Sequence, residues 1–475
     1  MPASIKRTLL LSLLIAIAMP ATGQDGTPLP ATSRKPISGS EQAAAVKAAK
    51  SRANYDQDAV RPYTLQDPLT FADGRKVRSR KQWPARRQEI LEMFQSEMYG
   101  RIPPESDIYL ETIEEGPTLA GFATRRQVRM WFRPDKSGPK IDWLIIIPNT
   151  FAAADPQSGT GAKPVPAILF LNFTGNHEVL PDKEILLPDA WMRENSDAGP
   201  HRASESTRGR YNRDGYDTVY PIGMLCARGY AIVTACYCDV SPDPNPREEA
   251  ENGTLLQDGF AYTGVFGLWG PRDPAHNDNT GSIAAWAWAL MRGMDMIGRD
   301  PALDQSRVVL TGCSRLGKTA LLAGAYDERF PLVVPVQTGA GGVPLAKRDF
   351  GETVATETAS FRHWFCPAYD KYADNTDALP FDQHLLLSCV APRALFVEGF
   401  NWDWFDPLGE YLALEAASPV WKFLGTKGLP PTGYPDTYET SAIGPVVGYY
   451  RRSKKHGISA LDWKLMLDFA DRLWK

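Results

Sequence analysis

A mostly parallel, doubly wound α/β sheet with an antiparallel entry is the fold this 475-residue chain predicts. Three observations carry the prediction. Short β-branched apolar runs, such as Val308 to Leu310 and Leu332 to Val336, alternate with helix-forming stretches through the C-terminal half. Three strand-like runs with short polar connections precede that alternation, as in the antiparallel start of a sheet. Between Leu310 and Ala320 a glycine-marked turn joins a buried strand directly to a helix.

Taken in order, residues 1–23 read as a secretory signal. Lys6 and Arg7 give a positive start, Leu9 to Met19 an apolar core, and Ala21-Thr22-Gly23 a small-residue cleavage site. The apolar stretch is too short for a membrane span, so the mature chain is expected to be secreted or periplasmic. Its loss removes two cations and no acid, moving the formal charge from −4 to −6. A mildly acidic chain gives no reason to expect a nucleic-acid partner. Residues 24–60 are rich in Pro, Ser, Ala, Gln and Lys and are expected to be a flexible arm. Residues 61–475 then form a single domain, and 43% apolar content is enough for a sizeable core.

Trp83 to Met98 has the pattern of an amphipathic helix with Pro84 in its first turn. The antiparallel runs are expected near 107–113, 123–132 and 141–147. Buried strands follow at Ala167 to Phe173, Tyr230 to Cys236, 308–311, Leu332 to Val336 and Ala394 to Val397. Ile283 to Ile297 and Ala460 to Trp474 read as helices. The six cysteines are few for this length, so any disulfide would be supplementary. No cysteine and histidine spacing suggests zinc, and no cofactor is expected.

The strand-to-helix turn carries the chemistry. Gly312-Cys313-Ser314-Arg315-Leu316-Gly317 reads as a nucleophile elbow whose second glycine comes one residue late. Ser314 would present its hydroxyl, and the Arg315 amide would help hold an oxyanion. The same residues, Gly312 to Thr319, match the phosphate-loop pattern G-x-x-x-x-G-K-[ST]. Position weighs against that second reading. The loop comes late in the chain, no acid follows Leu332 to Val336 to hold magnesium, and an exported chain meets little ATP. In α/β-hydrolases the order is serine, acid, histidine, and His456 lies in the loop before the last helix, where the base belongs. An α/β-hydrolase sandwich of three layers is the expectation.

These residues are similar to those of a known family. Gly312-Cys313-Ser314-Arg315-Leu316-Gly317-Lys318 resembles the nucleophile signature of the glucuronoyl esterases, carbohydrate esterase family 15. Asn172 to His177, Trp286 to Trp288, Gly339 to Gly342, Phe350 to Glu352, His363 to Phe365, and His456 with Asp462-Trp463 resemble it too, so the likeness runs from about Leu65 to the end. The resemblance implies Ser314 as nucleophile, His456 as base and the Arg315 side chain at the oxyanion. It implies Lys318 and Glu352 on the sugar hydroxyls, and Trp404 along the sugar. The implied substrates are esters of (4-O-methyl-)glucuronic acid, as between glucuronoxylan and lignin alcohols, and the chain is expected to act as a monomer. An acetyl-xylan-type esterase, a non-catalytic uronate binder and a nucleotide-binding P-loop protein stay as alternatives.

The acid is the departure. Many members carry it 23 residues after the nucleophile, where this chain has Gln337, which is neutral and is expected to touch the substrate instead. The family's other location lies after the following strand, near 401–406. There Glu398 falls in the strand end. Asp406 before Pro407 reads as a helix cap, and Glu410 lies on that helix. Asp403 is therefore the expected acid, with Glu398, Asp406 or no acid at all as alternatives. The histidine is followed by Gly457 rather than cysteine, so the disulfide of fungal members is expected to be absent.

Overall fold

The computed structural model describes residues 34–35, 37–149, 163–212, 219–246, 256–435, 437–453 and 455–474. The expected signal, residues 1–23, lies outside them, as do 24–33 of the arm.

Ten strands form one sheet: β1 (Tyr109–Thr118), β2 (Ala123–Trp131), β3 (Lys140–Pro148), β4 (Val165–Asn172), β5 (Ala231–Cys236), β6 (Leu303–Cys313), β7 (Leu332–Val336), β8 (Ala394–Phe400), β9 (Thr440–Ile443) and β10 (Val447–Arg452). Their spatial order is β1-β2-β3-β5-β4-β6-β7-β8-β10-β9. The first three pair antiparallel, and β3 also meets β5 antiparallel. From β5 through β10 every pairing is parallel, and β9 closes the edge antiparallel. This is the α/β-hydrolase arrangement that the alternating runs predict.

Side chains alternate across the central strands because successive residues point to opposite faces. Ala167, Leu169 and Leu171 of β4 enter one core, Ile168 and Phe170 the other. Both faces are thus apolar, and helices must cover both. On one face lie α2 (Trp83–Phe94), α3 (Ser282–Ile297) and α4 (Arg315–Tyr326). On the other lies α7 (Ala460–Trp474), with Trp463, Met466, Leu467 and Phe469 buried. In α3 every residue but Asp295 is buried, as expected of a helix apolar all round. Among the described residues no helix is long and apolar enough to cross a membrane. All six cysteines are free and buried.

Two expectations are corrected. Part of the flexible arm is a helix, α1 (Gly39–Ser51), started by a Ser38–Glu41 capping box. It is clamped by polar groups rather than by an apolar stripe. The Gln42 amide nitrogen donates to Gln257 Oε1 at 2.9 Å and to the Ala359 carbonyl at 3.1 Å. Just before it, the buried guanidinium of Arg34 meets Asp370 at 2.8 Å. Composition counts missing apolars and does not see such anchors. Likewise β9 and β10 are not among the strands expected above, and Gly448-Tyr449-Tyr450-Arg451-Arg452 carries two cations. The second, Arg452, is buried against Asp462 at 3.0 Å. β10 matters because its end launches the loop that holds His456.

Candidate active site

Ser314 sits between the last residue of β6 and the first of α4, with φ 59° and ψ −128°. A side chain at positive φ costs roughly 1–3 kcal/mol and persists only where its surroundings impose it. Here they do. The Ser314 N–H donates to the Val336 carbonyl at 2.9 Å, and its own carbonyl accepts from the amides of Gly317 and Lys318 at 2.8 and 3.0 Å. The displaced glycine spacing has a steric reason. A Cβ on Gly312 would stand 2.2 Å from the Leu316 carbonyl oxygen, and one on Gly317 would stand 2.8 Å from that of Val336. The helix doubles back onto the strand at those two points. The Arg315 N–H is the first amide of α4 and has no helical acceptor, so it is free for a developing oxyanion.

The Arg315 side chain is held by a residue that the sequence reading missed. Its Nη1 bonds Asp243 Oδ2, and its guanidinium lies 4.8 Å from the centroid of the Trp364 ring. Asp243 is fully buried and is also met by Arg193, by His363 Nε2 at 2.7 Å, by Trp364 Nε1 at 2.8 Å and by the Tyr237 hydroxyl at 3.0 Å. Burial alone would push its carboxyl up. The charges of Arg193 and Arg315, with His363, outweigh that and hold it well below the usual carboxylate range. An ionised carboxylate only accepts, so His363 carries its proton on Nε2. With one Arg315 nitrogen spent on Asp243, its buried Nε has no hydrogen-bond partner among the described residues. The signal was present in Ser241-Pro242-Asp243-Pro244-Asn245-Pro246, where alternating prolines stiffen the backbone around one acid.

His456 faces the same cavity as Ser314 and Arg315, a space of about 350 Å³ also lined by Phe173, Tyr237 and Trp463. Its Nδ1 lies 3.0 Å from Gln337 Oε1. The Gln337 amide is clasped to the backbone of Gly457: Oε1 accepts the Gly457 N–H at 2.8 Å, and Nε2 donates to the Gly457 carbonyl at 3.1 Å. That two-point clasp fixes which end of the amide faces the ring. Oε1 is an acceptor, so Nδ1 must carry the proton and Nε2 keeps a lone pair. His456 is exposed to the cleft, yet its ring packs on Phe405 and Phe400, with centroids 4.8 and 5.3 Å away. Lost hydration first, then the positive charges of Arg315, Lys318 and Arg452, push its pKa down, to about 4. The open edge of the ring softens that shift without reversing it. No hydrogen bond joins Ser314 Oγ to the ring among the described residues; such bonds often tighten only once substrate is bound.

The expected acid is corrected. Asp403 is exposed at the start of a single turn, Asp403–Phe405, and no described carboxylate comes within ion-pair distance of the His456 ring. The reason is packing: Phe400 and Phe405 occupy the face of the imidazole, which turns Asp403 outward. Asp406 caps α6 (Pro407–Ala417) through the Gly409 amide at 3.0 Å and pairs with Arg348 at 2.7 Å, as the Asp-Pro pattern implied for the cap. Glu398 is buried at the end of β8, where burial and then Asp462 push its carboxyl well up against the pull of Arg452. Gln337 thus holds the place of the acid, not a place on the sugar.

Lys318 is also placed differently from expectation. It is buried, its ammonium 3.2 Å from Glu357 Oε1 and 5.0 Å from the Trp364 ring, and it does not line the cavity shared by Ser314 and His456. An ammonium committed to a buried carboxylate is unavailable to a phosphate, which removes the nucleotide-loop reading. Glu357, on α5 (Val354–Ser360), was missed. Burial and then the charge of Glu352 push its carboxyl well up, opposed by Lys318. Glu352 itself, just before α5, accepts the Ala340 N–H at 3.2 Å. With Trp404 it lines a second cavity of about 780 Å³, and Arg193 borders both cavities.

Comparison with known proteins places this geometry. A family model described as fungal glucuronyl esterase matches residues 274–425. Carbohydrate esterase MZ0003 of an unknown prokaryotic organism is 37% identical over 425 residues, covering 88% of this chain and 91% of its own. The 4-O-methyl-glucuronoyl methylesterase of Podospora anserina is 27% identical over 76% of this chain and 60% of its own. A solved glucuronoyl esterase from Solibacter usitatus is 34% identical with a TM-score of 0.77, over 88% of this chain and all of that one.

Proposed function

Since this chain belongs to the glucuronoyl esterases of carbohydrate esterase family 15 and is a carboxylic ester hydrolase, we propose that it cleaves esters of (4-O-methyl-)D-glucuronic acid by a serine acyl-enzyme route. The observation that carries the mechanism is the pairing of a strained Ser314 with a His456 whose tautomer is fixed by Gln337. Nε2 of His456 takes the proton of Ser314 as Oγ attacks the ester carbonyl. The oxyanion forms against the Arg315 amide and guanidinium. Collapse expels the alcohol, protonated by His456, and water then repeats the sequence on the acyl-enzyme. The base is neutral near pH 7 because its pKa is depressed, so no proton has to be lost first.

The uronate would lie toward Glu352 and Trp404, whose cavity meets the catalytic one at Arg193. Lys318 acts behind that wall, holding Glu357 beside Glu352. The residues expected to carry the export signal, 1–23, make this a secreted or periplasmic esterase in our reading. The neutral Gln337 leaves the imidazolium of His456 without a paired carboxylate, so turnover is expected to be slower than with an acid at that place. Turnover of benzyl and methyl glucuronate, with little on aryl acetate, is the expected result of a substrate panel. Turnover of acetate alone would favour an acetyl esterase instead, and turnover of no glucuronate ester would refute the proposal.

A further inference from the structure

We propose that Arg452, anchored by Asp462, is a positioning residue for the base: together with Gln337 it grips the peptide that follows His456 and keeps the imidazole in register with Ser314. The inference rests on the serine acyl-enzyme reading.

The base needs such a grip. His456 lies in the loop between β10 and α7, and no covalent staple joins that loop to the elbow, because Cys313 is free and Gly457 follows the histidine. Gly457 has φ 130°, a conformation open to glycine and strained for other residues. Glycine is also the most mobile backbone, so the histidine beside it is only as fixed as the hydrogen bonds of that residue make it. Both polar groups of Gly457 are taken. Its N–H donates to Gln337 Oε1 at 2.8 Å. Its carbonyl, with two lone pairs, accepts Gln337 Nε2 at 3.1 Å and also Nη1 of Arg452. Two bonds to one amide would let Gly457 move with that side chain, and a donor from a second element removes the freedom.

Arg452 is itself anchored. It is the last residue of β10 and is buried. Its Nη1 lies 3.0 Å from Asp462 Oδ2, and its Nη2 lies 3.4 Å from the Ser459 hydroxyl. Asp462 is fully buried in the first turn of α7, where its Oδ2 accepts the Ser459 N–H at 2.6 Å and the Ser459 hydroxyl at 2.8 Å. One carboxylate thus caps the helix and holds the guanidinium. Glu398 closes the cluster from β8, where it stands in register with Tyr450 of β10. Burial and then the charge of Asp462 push its carboxyl well up, so it stays protonated and leaves the guanidinium to Asp462. The Glu398 backbone carbonyl accepts the Gln337 N–H at 2.7 Å, so β8 braces both residues that hold Gly457. A planar fork suits this bridge, since separate N–H groups reach a strand end, a helix start and a loop peptide at once.

The test measures kcat and KM for benzyl glucuronate beside the affinity for free glucuronate by calorimetry. Arg452→Lys keeps a charge against Asp462 and gives up the fork, so the fold is retained while the loop is released. It is expected to lower kcat by about 10–100-fold, the effect of a misplacement of about 1 Å, with KM and glucuronate affinity within about twofold of the parent. Ser459→Ala, a smaller change at the same contact, is expected to lower kcat by about threefold with the same split, and it decides where Arg452→Lys does not fold. Parent-like kcat in every variant that folds overturns the proposal. So does a fall in kcat matched by an equal loss of glucuronate binding, which marks general unfolding. A parent enzyme that turns over no glucuronate ester refutes the acyl-enzyme reading instead. Nitrogen NMR shifts of the His456 ring then decide: the proton should sit on Nδ1 in the parent and spread to Nε2 in Arg452→Lys. One unchanged tautomer in both proteins rejects the grip.

Discussion

Gln337→Glu isolates what the missing charge does. The substitution keeps one oxygen where Oε1 now meets the Nδ1 of His456 at 3.0 Å and the Gly457 amide at 2.8 Å. It loses the amide donor to the Gly457 carbonyl, which costs about 1 kcal/mol of stability. In exchange a negative charge arrives about 4 Å from the centre of the imidazole. At that separation the attraction to an imidazolium is about 1 kcal/mol in water and about 4 kcal/mol at an effective dielectric near 20. The His456 pKa should therefore rise by roughly 1–3 units, since one unit is about 1.4 kcal/mol. The assay is kcat/KM for benzyl glucuronate against pH, which reports the free-enzyme base. His456 works only when neutral, so activity grows as pH rises through its pKa. In the parent that acid limb should lie below 6.5, toward about 4, because desolvation and the charges of Arg315, Lys318 and Arg452 depress it. In Gln337→Glu the limb should move up, and kcat on the plateau should rise because the imidazolium formed in the transition state is now paired. Gln337→Leu should lower kcat by roughly 10²–10⁴-fold, because nothing then selects the Nδ1–H tautomer. A parent limb at or above 6.5, or a limb unmoved by Gln337→Glu, would refute the reasoning.

Ser314→Ala should lower kcat by about 10⁴-fold or more while glucuronate still binds, as read by calorimetry and steady-state rates. Arg315→Ala should lower kcat by roughly 10²–10³-fold on glucuronates and aryl acetate alike, the cost of one oxyanion donor. Asp243→Asn should lower kcat as well, and its effect should overlap that of Arg315→Ala in a double-mutant cycle, since one acts through the other; strict additivity would sink that coupling. Lys318→Ala leaves Glu357 buried without its partner. Burial already raises that carboxyl, so it can take up a proton, and the loss should cost about 1–3 kcal/mol in denaturant unfolding, where a surface lysine would cost almost nothing.

Local rules were enough to read the scaffold and to single out the two residues proposed to react. A β-branched run meeting Gly312 has few ways to become a helix at once, so the elbow and Ser314 follow from spacing. The order of serine before a loop histidine placed His456, because the last helix could be read from its own periodicity. Asp406 followed from proline chemistry alone. What sequence could not supply were contacts between distant segments. Asp243 lies 72 residues before Arg315, and only the folded chain shows five donors converging on it. Asp403 looked available because loop composition does not say which side chains turn inward. Phe400 and Phe405 won the face of His456 by burying apolar area, and the carboxylate was left in water. Lys318 looked like a solvent-facing ligand one turn beyond the nucleophile, yet α4 is buried on nearly all sides, and the ammonium is drawn to Glu357. Gln337 looked like a deficiency by its chemistry alone. Its clasp on Gly457 shows that a neutral amide, held at two points, fixes the imidazole tautomer as a carboxylate would and leaves out only the charge.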